Sequence, residues 1–323
     1  MKNPWGVSFS GGSPFWVSNQ ASSDSTLYNT AFMSQALVVA VTNPTGQVFS
    51  NIAGNFLVGT TGPSTFIFAS LNGTIAGWNS ASNTGNPPGM NVSTTEFTAT
   101  DGAVFTGLAN GASGGNNLLY AADVKNGRID TISSTWALTT VPGGFTDPGL
   151  PANYTPYNVQ NVNGKLYVEY EKLDPTTHAP IAGGIVDAFD TSGNFLQRLA
   201  TDAHLNQPWG VALSPAGFGD FGNDILIGNF GDGTISVFDQ SGNFLGTLAN
   251  ASGPLVNSGL WVLNFRASGS GFDPNTLFIT AGINGQKDGL FAAIQAAPEP
   301  STWVMLALGL GAVIAAQRRL ATH

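Results

Sequence analysis

A segment of this chain restates itself about every 50 residues, and that period limits the fold more than any other property. Gln207-Pro208-Trp209-Gly210-Val211-Ala212-Leu213-Ser214 repeats Asn3-Pro4-Trp5-Gly6-Val7-Ser8-Phe9-Ser10, and weaker copies begin at Asn43, Ala103, Thr155 and Ser258. A second motif, Phe-Asp-x-Ser-Gly-Asn-Phe-Leu, ends at Leu196 and again at Leu245, 49 residues later. Tyr157, Trp209 and Trp261 are spaced by 52 residues each. Every opening segment leads to a short apolar run, as at 15–17, 66–68, 118–120, 166–168, 225–227 and 277–279. A third run follows, clearest at 233–239, and a fourth lies beyond the Ser-Gly-Asn turn at 244–248. Four antiparallel strands repeated six times, joined by Gly-rich turns, predict an all-β, six-bladed β-propeller of four-stranded blades over residues 1–295. A β-sandwich has no such period, and a solenoid uses shorter units.

Composition supports turn-rich β structure. Only 9% of residues are charged while Gly numbers 42, so solubility rests on Asn, Ser, Thr and Gly. Gly and Asn supply the positive-φ positions of tight turns. A net charge of −9 argues against nucleic acid as a partner, since that needs clustered Lys and Arg. The absence of cysteine removes disulfides, zinc-thiolate sites and thiol nucleophiles together.

The end of the chain is of another kind. Ala297-Pro298-Glu299-Pro300-Ser301 is followed by an uncharged stretch, 302–316, and then by Gln317-Arg318-Arg319. As a helix, about 15 residues at about 1.5 Å each span roughly 22 Å, short of a ~30 Å hydrocarbon core. Length alone would suit a buried helix, but the stretch has no polar face, so a transmembrane-like helix is expected over 302–323. Trp303 suits one interface, and Arg318 and Arg319 would hold the other end in the cytoplasm. Residues 296–301 then form a linker.

This tail resembles the PEP-CTERM sorting signal of Gram-negative bacteria, through Pro298-Glu299-Pro300, the apolar stretch and Arg318-Arg319. The resemblance implies export, a transient inner-membrane anchor, cleavage by an exosortase-type membrane enzyme and release to the envelope or exterior. An exported chain needs an N-terminal signal, yet Met1-Lys2 runs straight into Asn3-Pro4-Trp5. The expectation is a misplaced start, with the signal and a strand closing the last blade lying upstream. Added upstream residues should then raise the melting temperature. The segment from Leu119 to Ile129, with its Asn126-Gly127-Arg128-Ile129 turn, resembles an NHL-type blade. The whole chain resembles a six-bladed PEP-CTERM propeller family that opens near Asn-Pro-Trp-Gly and brings no known activity.

Chemistry in a propeller belongs at a channel mouth. Aligning the repeats places Asn19, Ser70, Asp123, Glu171, Asn229 and Gly282 just past the second strands. Asn19, Asp123, Glu171 and Asn229 form the candidate ligand or metal ring, and Ca²⁺, which takes six to eight oxygens, is the cation it would suit. The competing interpretation is that these residues cap strand ends. His178, His204 and His323 do not converge, and a Gly-x-Ser-x-Gly motif on a strand-to-helix turn is absent. Asp220, Asp224 and Asp232 read as turn formers, Trp5 and Trp209 as blade packing, and Trp78 and Trp136 as the candidates for exposed stacking. No catalytic residue is assigned and no cofactor is required. Two functions remain: an exported, non-catalytic binding propeller for polysaccharide or protein, or a lactonase-like hydrolase or lyase with a channel-bound divalent cation.

Overall fold

The computed structural model describes residues 1–50, 52–83, 91–267 and 271–296. The six repeats form six sheets around a common axis. Their innermost strands are Pro4–Ser8, Pro44–Phe49, Phe105–Ser113, Tyr154–Val162, Pro208–Leu213 and Leu260–Asn264. Each innermost strand touches those of its two neighbours, and the sixth touches the first, so the ring is closed. Successive strands of a blade are antiparallel neighbours, as the sequence pattern predicts. Blades two to five have four strands each. The first gains a fifth, Asn91–Val92, which leaves the second blade and runs parallel to Ser34–Ala40. The sixth has three described strands, the outermost being Leu290–Gln295.

The second strands explain the core. Phe15–Asn19, Phe66–Ser70, Ile225–Asn229 and Thr276–Ala281 are buried at every position, because each is covered on both faces by adjacent blades. Apolar side chains of neighbouring blades meet in separate clusters. One joins blades three and four through Tyr120, Phe145, Val168 and Phe189, and another joins blades four and five through Tyr167, Val186, Val211 and Ile227. The seam between the sixth and first blades differs. There the Arg266 guanidinium lies 4.4 Å, 4.7 Å and 4.9 Å from the rings of Phe9, Phe15 and Phe272, and its Nη2 donates to the carbonyls of Ser10 and Ser13.

Every innermost strand shifts register near its start, between Pro4 and Gly6 in the first blade and between Pro208 and Gly210 in the fifth. Such a bulge re-aims one side chain and bends the strand. Glycine beside the bulge lets adjacent blades approach closely. A Cβ on Gly210 would lie 2.5 Å from the Trp261 carbonyl oxygen, and one on Gly107 would lie 2.7 Å from Asn158 Cα. The Pro-Trp-Gly repeat is therefore a strand start, a bulged ring and a point of inter-blade contact.

The expected tail helix and sorting motif lie outside the described residues, apart from Ala296. Among the described residues, no helix is long and apolar enough to cross a membrane.

Candidate functional site

The bulged residues converge on one mouth of the channel. Trp261 is central and only 1% exposed. Trp5 stacks on one side with ring centroids 4.1 Å apart, and Phe230 stacks at 4.2 Å. Trp209 and Tyr157 meet Trp261 at 5.6 Å and 6.2 Å. Trp261 Nε1 donates to Asn3 Oδ1 at 2.8 Å, and Trp209 Nε1 to the Thr106 carbonyl at 3.3 Å. Leu71 and Val124 pack against the same cluster. Beneath this aromatic plug, all six innermost strands line a cavity of about 110 Å³. Amide side chains tie its walls together. Asn158 Nδ2 donates to the Trp209 carbonyl at 2.6 Å, Asn161 Nδ2 to the Asn110 carbonyl at 2.8 Å, and Asn110 Nδ2 to the Phe49 carbonyl at 2.9 Å.

Strand register separates the candidate ring into two sets. Asn19, Ser70, Asp123 and Asn229 stand opposite the residue that begins the bulge: Pro4, Pro44, Phe105 and Pro208. In the fourth and sixth blades that position belongs to Tyr170 and Ala281. Glu171 and Gly282 fall one residue later, where Leu71, Val124 and Phe230 meet the plug. The first set bonds within its own blades. Asn19 Nδ2 donates to Asp24 Oδ1 at 2.7 Å and Thr26 Oγ1 at 2.8 Å. Asn229 Nδ2 donates to Thr234 Oγ1 at 3.0 Å and Ser236 Oγ at 3.1 Å. Asp123 accepts from the Val104 and Asn126 N–H groups and from Asn126 Nδ2, and lies 3.7 Å from Arg128. The partners stand five and seven residues onward in the first and fifth blades, and Arg128 and Asp130 hold those places in the third.

Glu171 is the carboxyl at the plugged mouth. Burial raises its pKa to about 7, and its charge in turn adds to the upward shift that burial imposes on Tyr157. Glu169, two residues earlier, is fully buried opposite Asn158, and burial raises it well above the usual carboxylate range. Among the described residues, no group of three or more His, Asp or Glu side chains could hold a metal ion.

An open site lies between the fourth and fifth blades, on the same side of the ring as Glu171. This cleft measures about 540 Å³. On one wall Lys172 Nζ donates to Asp202 Oδ2 at 2.7 Å, and the Tyr154 hydroxyl donates to the same carboxylate. Burial opposes the Asp202 charge, but Lys172, Tyr154 and the Gly184 N–H outweigh it and hold the carboxyl below its usual value. Gly183 permits this pairing, since a Cβ there would lie 2.6 Å from Asp202 Oδ1. Across the cleft, Asp232 accepts from the Thr234 N–H and hydroxyl and from Asn206 Nδ2. The His204 ring is exposed and lies flat on Phe244, with centroids 3.6 Å apart and planes 4° apart.

Sequence reasoning set His204 apart as unconverged and passed over Lys172, Asp202 and Tyr154, which only inter-strand pairing brings together. Trp78 is corrected: it is buried against Trp16 at 4.9 Å and offers no stacking surface. Trp136 donates from Nε1 to the Leu57 carbonyl and packs edge-on to Phe56. Trp5 and Trp209 join the channel plug and so pack between blades, although across the axis rather than within one interface.

Comparison with known proteins places this architecture. Residues 296–319 match the PEP-CTERM protein-sorting motif, a bacterial signal for export and envelope sorting. The uncharacterized protein R648 of Acanthamoeba polyphaga mimivirus is 30% identical over 312 residues, covering 90% of this chain and 74% of R648. The chain belongs to the R648 family. That match extends over the repeats that build the ring, so family membership concerns the propeller. Among solved structures, virginiamycin B lyase from Staphylococcus aureus is similar at a TM-score of 0.51 and 12% identity, with 90% of this chain and 94% of the lyase covered. Regucalcin from Agrobacterium tumefaciens, described as a calcium-binding protein, gives 0.50 and 11%, with 93% of each covered. At such identities the likeness is one of fold.

Proposed function

We propose that this family member is an exported, non-catalytic binding protein whose propeller recognises polysaccharide or protein ligands outside the cytoplasm. Residues 302–323 would anchor it briefly in the inner membrane, and an exosortase-type enzyme would cut near Pro298-Glu299-Pro300. The observation that carries the binding reading is the sealed mouth. Trp261 and its neighbours occupy the place where a channel substrate would enter from that side, and the blade-four/blade-five cleft offers an accessible polar site beside it. Lys172 and Asp202 are paired with each other there, an arrangement that suits recognition more than proton transfer. The test is the intact mass of the protein recovered from the envelope and medium of its producer. A mass lacking the tail supports export and trimming, whereas a mass matching Met1–His323 in the cytoplasm overturns the setting.

A hydrolase or lyase using a channel-bound divalent cation is the second reading, favoured by Glu171 with its pKa near 7 at the mouth. The lyase and calcium-binding protein of similar fold add to it. Asp123 fits poorly as a ligand, because Asn126 and the Val104 N–H already take its carboxylate. Calcium titration of the melting temperature, in the parent and in Asp123→Ala/Glu171→Ala, separates the readings. A calcium-dependent rise in the parent that the double variant loses favours the enzyme; no shift in either removes it.

A further inference from the structure

The cleft between the fourth and fifth blades has the chemistry of a sugar subsite. We propose that it binds a neutral pyranose unit of a polysaccharide, with the apolar face of the ring on His204 and hydroxyls bridging Lys172 and Asp232; this rests on the binding reading above. The ionic groups argue for a neutral ligand. Lys172 and Asp202 already neutralise each other, and the Asp202 carboxylate is filled by Lys172, Tyr154 and the Gly184 N–H. A strongly charged ligand would have to compete with that pairing, and an anionic one would also meet the Asp232 carboxylate.

Hydrogen-bonding capacity remains at two separate points. An ammonium group has three N–H donors, and Asp202 takes one of those of Lys172. A carboxylate offers about four acceptor directions, and Asp232 Oδ2 receives only a long bond from Asn206, at 3.3 Å. A donor on one wall and an acceptor on the other match hydroxyl groups, each of which donates and accepts. In the same cleft a flat surface is supplied by His204, fixed in orientation by Phe244 and hydrogen-bonded at neither ring nitrogen among the described residues. The Ser236 hydroxyl donates to the His204 carbonyl at 2.6 Å and so holds the backbone beneath the ring. The cleft volume lies within the range of small-ligand sites, about 300–1,000 Å³. An aromatic plane flanked by opposed polar groups is a surface that hydrated sugars favour over bulk water, because C–H groups lose water on the ring while the hydroxyls regain their bonds.

The experiment is calorimetric titration of the full chain with three probes: a β-1,4-glucose hexasaccharide, a mannose hexasaccharide and a galacturonic acid hexasaccharide. The expected result is binding of a neutral hexasaccharide, weakened at least tenfold by His204→Ala and by Asp232→Asn, and unchanged by Leu138→Ala on the exposed outer strand of the third blade. Asp232→Asn retains the side-chain shape, so it reports the acceptor even where His204→Ala disturbs folding. Neutral-sugar binding that neither variant weakens overturns the cleft as the site while leaving the binding reading intact. A preference for the acidic hexasaccharide, or no binding of any probe, overturns the sugar class proposed. Cleavage of a hexasaccharide would overturn the non-catalytic reading, yet would support the subsite if both variants still weakened binding.

Discussion

Trp261 shows how one side chain can hold the centre of a ring. Both its faces are stacked and its N–H is satisfied by Asn3, 258 residues away in the chain. Trp261→Ala removes that packing and is expected to lower stability by about 3–5 kcal/mol in urea titration; a loss under about 1 kcal/mol would mean the plug collapses to fill the space. Glu171 makes the opposite contribution. Its folded-state pKa, about 7, exceeds the ordinary glutamate value of 4.5, so the folded protein holds a proton that the unfolded chain has released between those values. Stability therefore falls as pH rises from about 4.5 to about 7, by up to about 3 kcal/mol from this group. Asp187, pushed by burial to about 7 against the pull of Arg198, acts in the same direction. Comparing urea midpoints at pH 5 and pH 8 checks this, and Glu171→Gln should flatten the dependence.

At the scale of the element, the bulged innermost strand and its glycine set the spacing between blades. A Cβ on Gly107 meets the Asn158 backbone and side chain, and neither can retreat without moving the fourth blade. Gly107→Ala should cost about 1–3 kcal/mol by overpacking, read as a lower melting temperature with an unchanged β-sheet circular dichroism spectrum. Outer hairpins are closed by purely local means. Asp190 accepts from the Ser192 and Asn194 N–H groups and from Asn194 Nδ2, and Asp239 repeats the pattern with Ser241 and Asn243. These turns were legible as Phe-Asp-x-Ser-Gly-Asn, because every bond spans at most four residues. The mouth residues were not. In the fourth blade pairing runs on past the bulge, through Thr155–Glu171 and Tyr154–Lys172, so Glu171 stands one place beyond the position of Asn19, and a period counted along the chain does not register that shift.

For the whole molecule, the closing seam between the sixth and first blades is the distinctive joint. Elsewhere blades meet through apolar clusters and neutral amide or hydroxyl hydrogen bonds, but here a buried arginine is held by three phenyl faces and two carbonyl oxygens. Burial pulls its pKa down, yet not within reach of neutrality for a guanidinium. Arg266→Met keeps much of the volume while removing the two charge-assisted bonds, and a loss of about 3 kcal/mol is expected. Hydrogen exchange should then rise first in Pro4–Ser8 and Leu260–Asn264, the strands that meet at the seam; uniform loss of protection would mean the ring opens only as a unit.

The sequence by itself determined the number of blades, the antiparallel order of strands, the hairpin closures and the sorting tail. Each depends on a period, a turn chemistry or a short contiguous motif, which are properties of neighbouring residues. It also marked Tyr157, Trp209 and Trp261 at equal spacing, without showing that they share one mouth. Only the tertiary structure decided that the mouth is sealed by aromatic rings, that Glu171 faces the plug while Asn19, Asp123 and Asn229 cap their own strands, and that Lys172, Asp202 and His204 share a cleft. Those outcomes rest on how far strand pairing runs past the bulge in each blade, and on ring closure, which brings into contact residues that the chain itself keeps far apart.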